Sequence, residues 1–121
     1  GQENFFTDEE IIKALCSFKK KAKDFLLKTV KHKPFSKDNE YAAIVLSSME
    51  EDEEISRASL KLLKDPEVRK RFSLASYLVF TCAHLKDEKD HKAFITLAKS
   101  KDLPSNLQEE MRFIIKSWKT S

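Results

Sequence analysis

The side chains able to do chemistry are few and scattered. Three histidines, His32, His84 and His91, and two cysteines, Cys16 and Cys82, stand in a chain of 121 residues. The tightest grouping is Cys82, His84, Asp87 and His91, which has the residue types of a zinc site. Its spacing argues against one. Ligands on a helix stand at i, i+3 or i+4, whereas Cys82 and His84 point about 200° apart on a common helix. His84 and His91 are two turns apart. The acidic run at 50–54 supplies carboxylates, but a pair works as acid and base only when one member is desolvated. A contiguous run is a solvated face. The one glycine is Gly1, so Gly-rich phosphate loops and dinucleotide fingerprints are excluded. The expectation is a protein that is not an enzyme. It has no catalytic, cofactor-binding or metal-binding residues and needs no cofactor.

Charge is the more informative pattern. The chain carries 23 basic and 20 acidic side chains, a net +3. Their distribution is bipolar. From Lys13 to Lys37 there are nine lysines and one acid, Asp24; from Asp38 to Glu54 there are seven acids and no base. Lys13, Lys20, Lys21, Lys28 and Lys31 fall within about 100° of helical arc, a ridge about 27 Å long. Asp24 is placed to pair with Lys20 and Lys28. A second cationic group is Arg69, Lys70 and Arg71. It stands in the first turn of a helix, where the macrodipole disfavours positive charge. Glu53, Glu54, Asp65 and Glu67 are its candidate internal partners.

These groups are positioned by helices. Thr7-Asp8-Glu9-Glu10 reads as a capping box, with Phe5 or Phe6 as a staple. Ile11, Leu15, Phe18, Ala22, Phe25 and Leu26 follow at helical spacing, a core-facing stripe on a first helix that runs to about Lys31. Ser36 caps a second helix, with Tyr41, Ile44, Val45 and Met49 on its apolar side. A third begins within the acidic run and uses Ile55, Ala58, Leu62 and Leu63. Asp65-Pro66-Glu67 opens a fourth, expected as one central helix over 66–85 with Val68, Phe72, Ala75, Val79 and Cys82 in one stripe. Asp87 or Asp90 opens a fifth, and Pro104-Ser105 a sixth bearing Met111, Ile114, Ile115 and Trp118. No segment alternates with period two. Both cysteines fall among apolar helix positions and read as buried thiols. The expected fold is all-α, a compact bundle of five or six antiparallel helices. It forms a single domain over 1–121, with 1–6 and 119–121 as frayed ends.

Leu62-Leu63-Lys64-Asp65-Pro66-Glu67-Val68-Arg69 resembles the junction between the two helices of a HEAT repeat, although Phe72 stands where that family usually has alanine. The resemblance implies stacked antiparallel hairpins with a binding surface on one face. The segment 109–119, ending Ile-Ile-Lys-Ser-Trp-Lys, looks like the last helix of the N-terminal domain of transcription elongation factor S-II. The glycine-containing loop of that domain is missing here.

The functional expectation is a non-catalytic interaction module that binds a short acidic or amphipathic segment of a partner protein. The residues assigned to the partner are Lys13, Lys20, Lys21, Lys28, Lys31, Arg69, Lys70 and Arg71. The alternative is a nucleic-acid-binding domain using the lysine face of the first helix. A third reading is a carrier of an apolar ligand, its pocket lined by some of the nine phenylalanines. The longest run without charge, 72–85, is too short and too polar to span a membrane, so no membrane partner is expected. The expected location is intracellular, cytoplasmic or nuclear.

Overall fold

The computed structural model describes residues 7–49 and 51–119, and of Leu15 the backbone only. Among these residues the chain is all-helical, with no strand. Its helices are α1 Asp8–Lys31, α2 Lys37–Ser47, α3 Glu53–Leu63, α4 Pro66–Arg69, α5 Phe72–Thr81, α6 Glu88–Ala98 and α7 Ser105–Lys119, with a 3-10 turn at Cys82–His84. The staple expected of Phe5 or Phe6 lies outside the described residues, as do 1–6 and 120–121 of the expected frayed ends. Lys119 closes α7.

Local chemistry sets most boundaries. Thr7 Oγ1 accepts from the Glu10 N–H at 3.2 Å and starts α1. Ser36 and Asn39 form a full capping box at α2. Asp52, Asp65 and Asp87 cap α3, α4 and α6 by accepting backbone N–H bonds. Each satisfies donors that a helix start leaves orphaned.

The expected continuous helix over 66–85 is broken. After the single turn of α4 the chain extends at Arg71, φ −99° and ψ 91°. The break has a tertiary cause. Val68 and Arg69 are both buried in α4, and Arg71 donates to the Phe35 carbonyl at 2.7 Å. The chain then restarts as α5, with Leu74, Ala75, Leu78 and Val79 turned inward. Phe72, expected in the inner stripe, is left on the surface.

α5 is the central element and packs against α2, α3, α4 and α7. Its approach to α3 is lined by small polar side chains. Ser56 Oγ donates to the Thr81 carbonyl at 2.8 Å, and Thr81 Oγ1 donates to Ser59 Oγ. These groups are buried and mutually satisfied, as buried polar groups must be. Ser76 Oγ donates to Glu110 at 3.0 Å, and Trp118 Nε1 donates to the Ala83 carbonyl at 3.1 Å. Those two rungs run α5 and α7 in the same direction, so neighbouring helices are not uniformly antiparallel. Trp118 also stacks on His91 at 3.9 Å and meets Phe94 edge-on at 5.1 Å, closing α6 and α7 together.

Candidate protein-docking arm

α1 is 24 residues long, about 36 Å at 1.5 Å per residue. Only its C-terminal turns belong to the core. Leu27 and Val30 are buried, and Leu26 is partly so. The end of the helix is pinned by Asn39, itself 1% exposed. Its amide nitrogen donates to the carbonyls of Thr29, Val30 and His32, each at 2.9 Å. Its oxygen accepts from the Ser36 N–H at 2.6 Å. One side chain thus joins the end of α1 to the start of α2.

A second tie fixes the middle of α1. Lys23 bonds Asp52 at 3.1 Å and Glu54 at 2.7 Å. The Glu54 and Asp52 carboxylates raise the Lys23 pKa above the usual lysine range. Burial pushes the Asp52 carboxyl up, but Lys23 and the N–H groups of Ile55 and Glu54 outweigh it and hold Asp52 below the usual carboxylate range.

N-terminal to this tie, every described side chain from Asp8 to Lys21 is exposed. This exposed stretch is about 21 Å long, and its last turn, at Lys19 and Lys20, shares a cleft with Met49 and Ile55 of the body. The stripe expected to face the core is bare: Ile11, Phe18 and Phe25 are 45%, 70% and 68% exposed. The cause is a change of face along the helix. At 100° per residue, Leu26, Leu27 and Val30 point about 90° to 170° away from the Phe18–Phe25 line, and it is they that turn to the body. The side chain of Leu15, expected in the stripe, is outside the described residues. Cys16, expected as a buried thiol, is exposed; Cys82 is buried, and burial pushes its thiol pKa up strongly.

The lysines of the ridge, Lys13, Lys20, Lys21, Lys28 and Lys31, are all exposed. None makes an ion pair among the described residues, and Asp24 does not take up its expected pairing with Lys20 and Lys28. The second cationic group does not exist as a unit. Arg69 is 7% exposed and donates to the Leu63 carbonyl and to Asp102, both at 2.8 Å. Its partner is thus Asp102, not Glu53, Glu54, Asp65 or Glu67. Arg69 holds the Asp102 carboxyl below the usual range. Glu53 faces Arg57, Glu54 faces Lys23, and Asp65 faces Lys33. Arg71 spends a guanidinium N–H on Phe35, leaving Lys70 as the one side chain of the three with no such tie among the described residues.

Other expected groups are committed elsewhere. Cys82 Sγ lies 3.9 Å from the Ser56 carbonyl, His84 faces Glu51, Asp87 caps α6, and His91 stacks on Trp118. Among the described residues no three His, Cys, Asp or Glu side chains converge on a metal position, and no helix is long and apolar enough to cross a membrane. Phe35 and Phe94 are buried, but Phe18, Phe25, Phe72, Phe80 and Phe113 are on the surface, so they do not line a common interior pocket.

Two further surface features accompany the arm. A cleft of about 460 Å³ lies where α1 leaves the body, walled by Lys19, Lys20 and Lys23 and floored by Met49 and Ile55. On the body, Tyr41, Ile44, Phe80 and Phe113 are exposed on α2, α5 and α7. No family model, curated protein or solved structure matches the chain. The likenesses at 62–69 and 109–119 therefore rest on those residues alone.

Proposed function

We propose that this is a non-catalytic protein-docking module whose docking element is the exposed face of α1, and that it receives an acidic, amphipathic segment of a partner protein. One observation carries the reading. Ile11, Phe18 and Phe25 recur every seven residues and stand bare on a helix whose flanks are lysine. Bulky apolar side chains at that spacing are the anchors by which helices pair. The flanking charge selects what pairs. Lys21 and Lys28 border one edge of the stripe and Lys19 the other, so a partner must bring carboxylates to both edges. A second copy of this chain paired in parallel would set lysine against lysine. Of the assigned surface Arg69 is withdrawn because it is buried; Lys13, Lys20, Lys21, Lys28 and Lys31 remain on α1, and Lys70 and Arg71 remain exposed at the α4–α5 break.

The test is an anisotropy titration of a labelled helical peptide with leucine at its seam and glutamate at its flanks. Binding near 10 μM is expected at low salt. Phe18→Ser with Phe25→Ser should weaken it at least about tenfold, as loss of an anchor does. Lys20→Glu with Lys28→Glu should weaken it without unfolding the domain. Unchanged affinity in both double variants refutes the assignment. Duplex oligonucleotide bound instead, with affinity falling by orders of magnitude between about 50 and 200 mM salt, replaces it with phosphate recognition.

A further inference from the structure

The charge on α1 is divided along its length. The first turn carries Asp8, Glu9 and Glu10, and the last turn Lys28 and Lys31. Between them stand five lysines and one acid, Asp24. The acids also bracket the bare stripe. At 100° per residue Asp8 and Glu10 stand about 80° to either side of Phe18. Glu10 is on the edge that carries Lys21 and Lys28, and Asp8 on the edge that carries Lys19. The helix therefore holds, at its own start, the flanking carboxylates that its lysines call for. Leu27 and Val30 are buried while Phe18 and Phe25 are bare, so the stripe is turned away from the body.

The stripe is spaced for a helix of its own kind. Positions 11, 15, 18, 22 and 25 are separated by alternate steps of four and three, the seam of a two-stranded coiled coil. All five are apolar in the sequence. We infer that α1 pairs antiparallel with α1 of a second copy, about a twofold axis between residues 16 and 17. Phe18 then falls level with position 15 of the second copy, and Ile11 with Ala22. Lys19 and Lys21 fall beside Ile12 and Ala14, not beside one another. Glu10 falls level with position 23 of the second copy, two residues or about 3 Å along the axis from Lys21, on the same edge of the seam. The twofold axis makes that contact twice. The antiparallel pair thus sets the acidic start of each helix against the lysine-rich part of the other, which a parallel pair does not. The inference rests on the reading of α1 as the docking element and names what occupies it.

The experiment is sedimentation equilibrium of the full chain from about 2 to about 500 μM, at low salt where surface charge is least screened. A monomer–dimer equilibrium is expected with Kd on the order of 10–100 μM, the weak end that suits one short pair of helices. Phe18→Ser should raise Kd about thirtyfold, the size of an anchor loss. Phe113→Ser removes an equally exposed phenylalanine on α7, 68% against 70%, and should leave Kd unchanged. Glu10→Lys and Lys21→Glu should each raise Kd about tenfold by setting like charges together. The two combined should return it to within about threefold of the parent, because the pair is then reversed and intact. Circular dichroism shows that each variant folds. A chain still monomeric at 500 μM, equal losses in the two phenylalanine variants, or a combined charge variant no better than its parents overturns the inference. If the chain is monomeric and the glutamate-flanked peptide still binds in a Phe18-dependent way, α1 is a docking element and only its occupant is wrong. If neither the chain nor the peptide associates with α1, both readings fall.

Discussion

Replacing Asn39 by aspartate tests what holds α1 in place. The substitution keeps shape and changes one nitrogen to oxygen. In the native protein that nitrogen donates to three carbonyls, of Thr29, Val30 and His32, at 2.9 Å each. It carries two hydrogens, so two hydrogen bonds are lost, about 1 kcal/mol each net. The contact to Val30 is buried from solvent, so its orphaned carbonyl adds a desolvation penalty of about 1–3 kcal/mol. The expected loss is about 3–5 kcal/mol, a large share of the roughly 5–15 kcal/mol by which a domain is stable. Denaturant unfolding followed by far-ultraviolet circular dichroism measures it. The loss should also depend on pH. A carboxyl facing carbonyl oxygens has its folded pKa raised above the unfolded value of about 3.9. The penalty is therefore complete above the folded pKa and shrinks as pH falls through it, when the protonated acid donates again. A variant within about 1 kcal/mol of the parent at neutral pH would refute this account, because α1 would then be held on α2 by something other than this amide.

Phe18→Ser should leave stability within about 0.5 kcal/mol of the parent, whereas Phe94→Ala, at a site with 0% exposure, should cost about 3–5 kcal/mol; equal effects in thermal melts would contradict the exposed arm. Asp102→Asn strands the buried Arg69 guanidinium and should lower stability more than Asp24→Asn, measured side by side in urea. Arg69 and Ser100 lower the folded pKa of Asp102, and the Glu67 N–H and Lys33 lower that of Asp65. Their contribution is full above the ordinary carboxylate range and disappears as pH falls through the lowered values, so an acid titration of the melting temperature should show it and Asp102→Asn should flatten it. A thiol reagent should titrate Cys16 in the native protein and Cys82 only after unfolding; two thiols reacting at once would contradict the burial of Cys82.

Signals that act within a few residues were legible in the sequence. Thr7, Ser36, Asp65 and Asp87 each stand where a helix starts, because a cap needs only its own turn. The break at Arg71 was not legible. No glycine or proline marks it, and its cause, the Phe35 carbonyl, lies 36 residues away. Arg69 is a similar case: its charge was evident, but its partner Asp102 comes from the far side of α6. For α1 the periodicity was legible and its meaning was not. A stripe shows that a helix is two-faced; it does not say whether the covering surface lies in the same chain. One sign was present. Leu27 and Val30 fall off the line of Ile11, Phe18 and Phe25, so α1 carries two apolar faces, and the body of this chain covers the second.

The environment of Trp118 gives the molecule a private optical channel. It is the one tryptophan in the chain. It stacks on His91, meets Phe94 edge-on and donates to the Ala83 carbonyl, contacts to α6 and to the turn that follows α5. Indole emission therefore follows the closing of α6 and α7. A dye on the exposed Cys16 reports on α1 instead. Folding of the body and occupancy of the arm can thus be watched as two colours in one sample, without changing a residue.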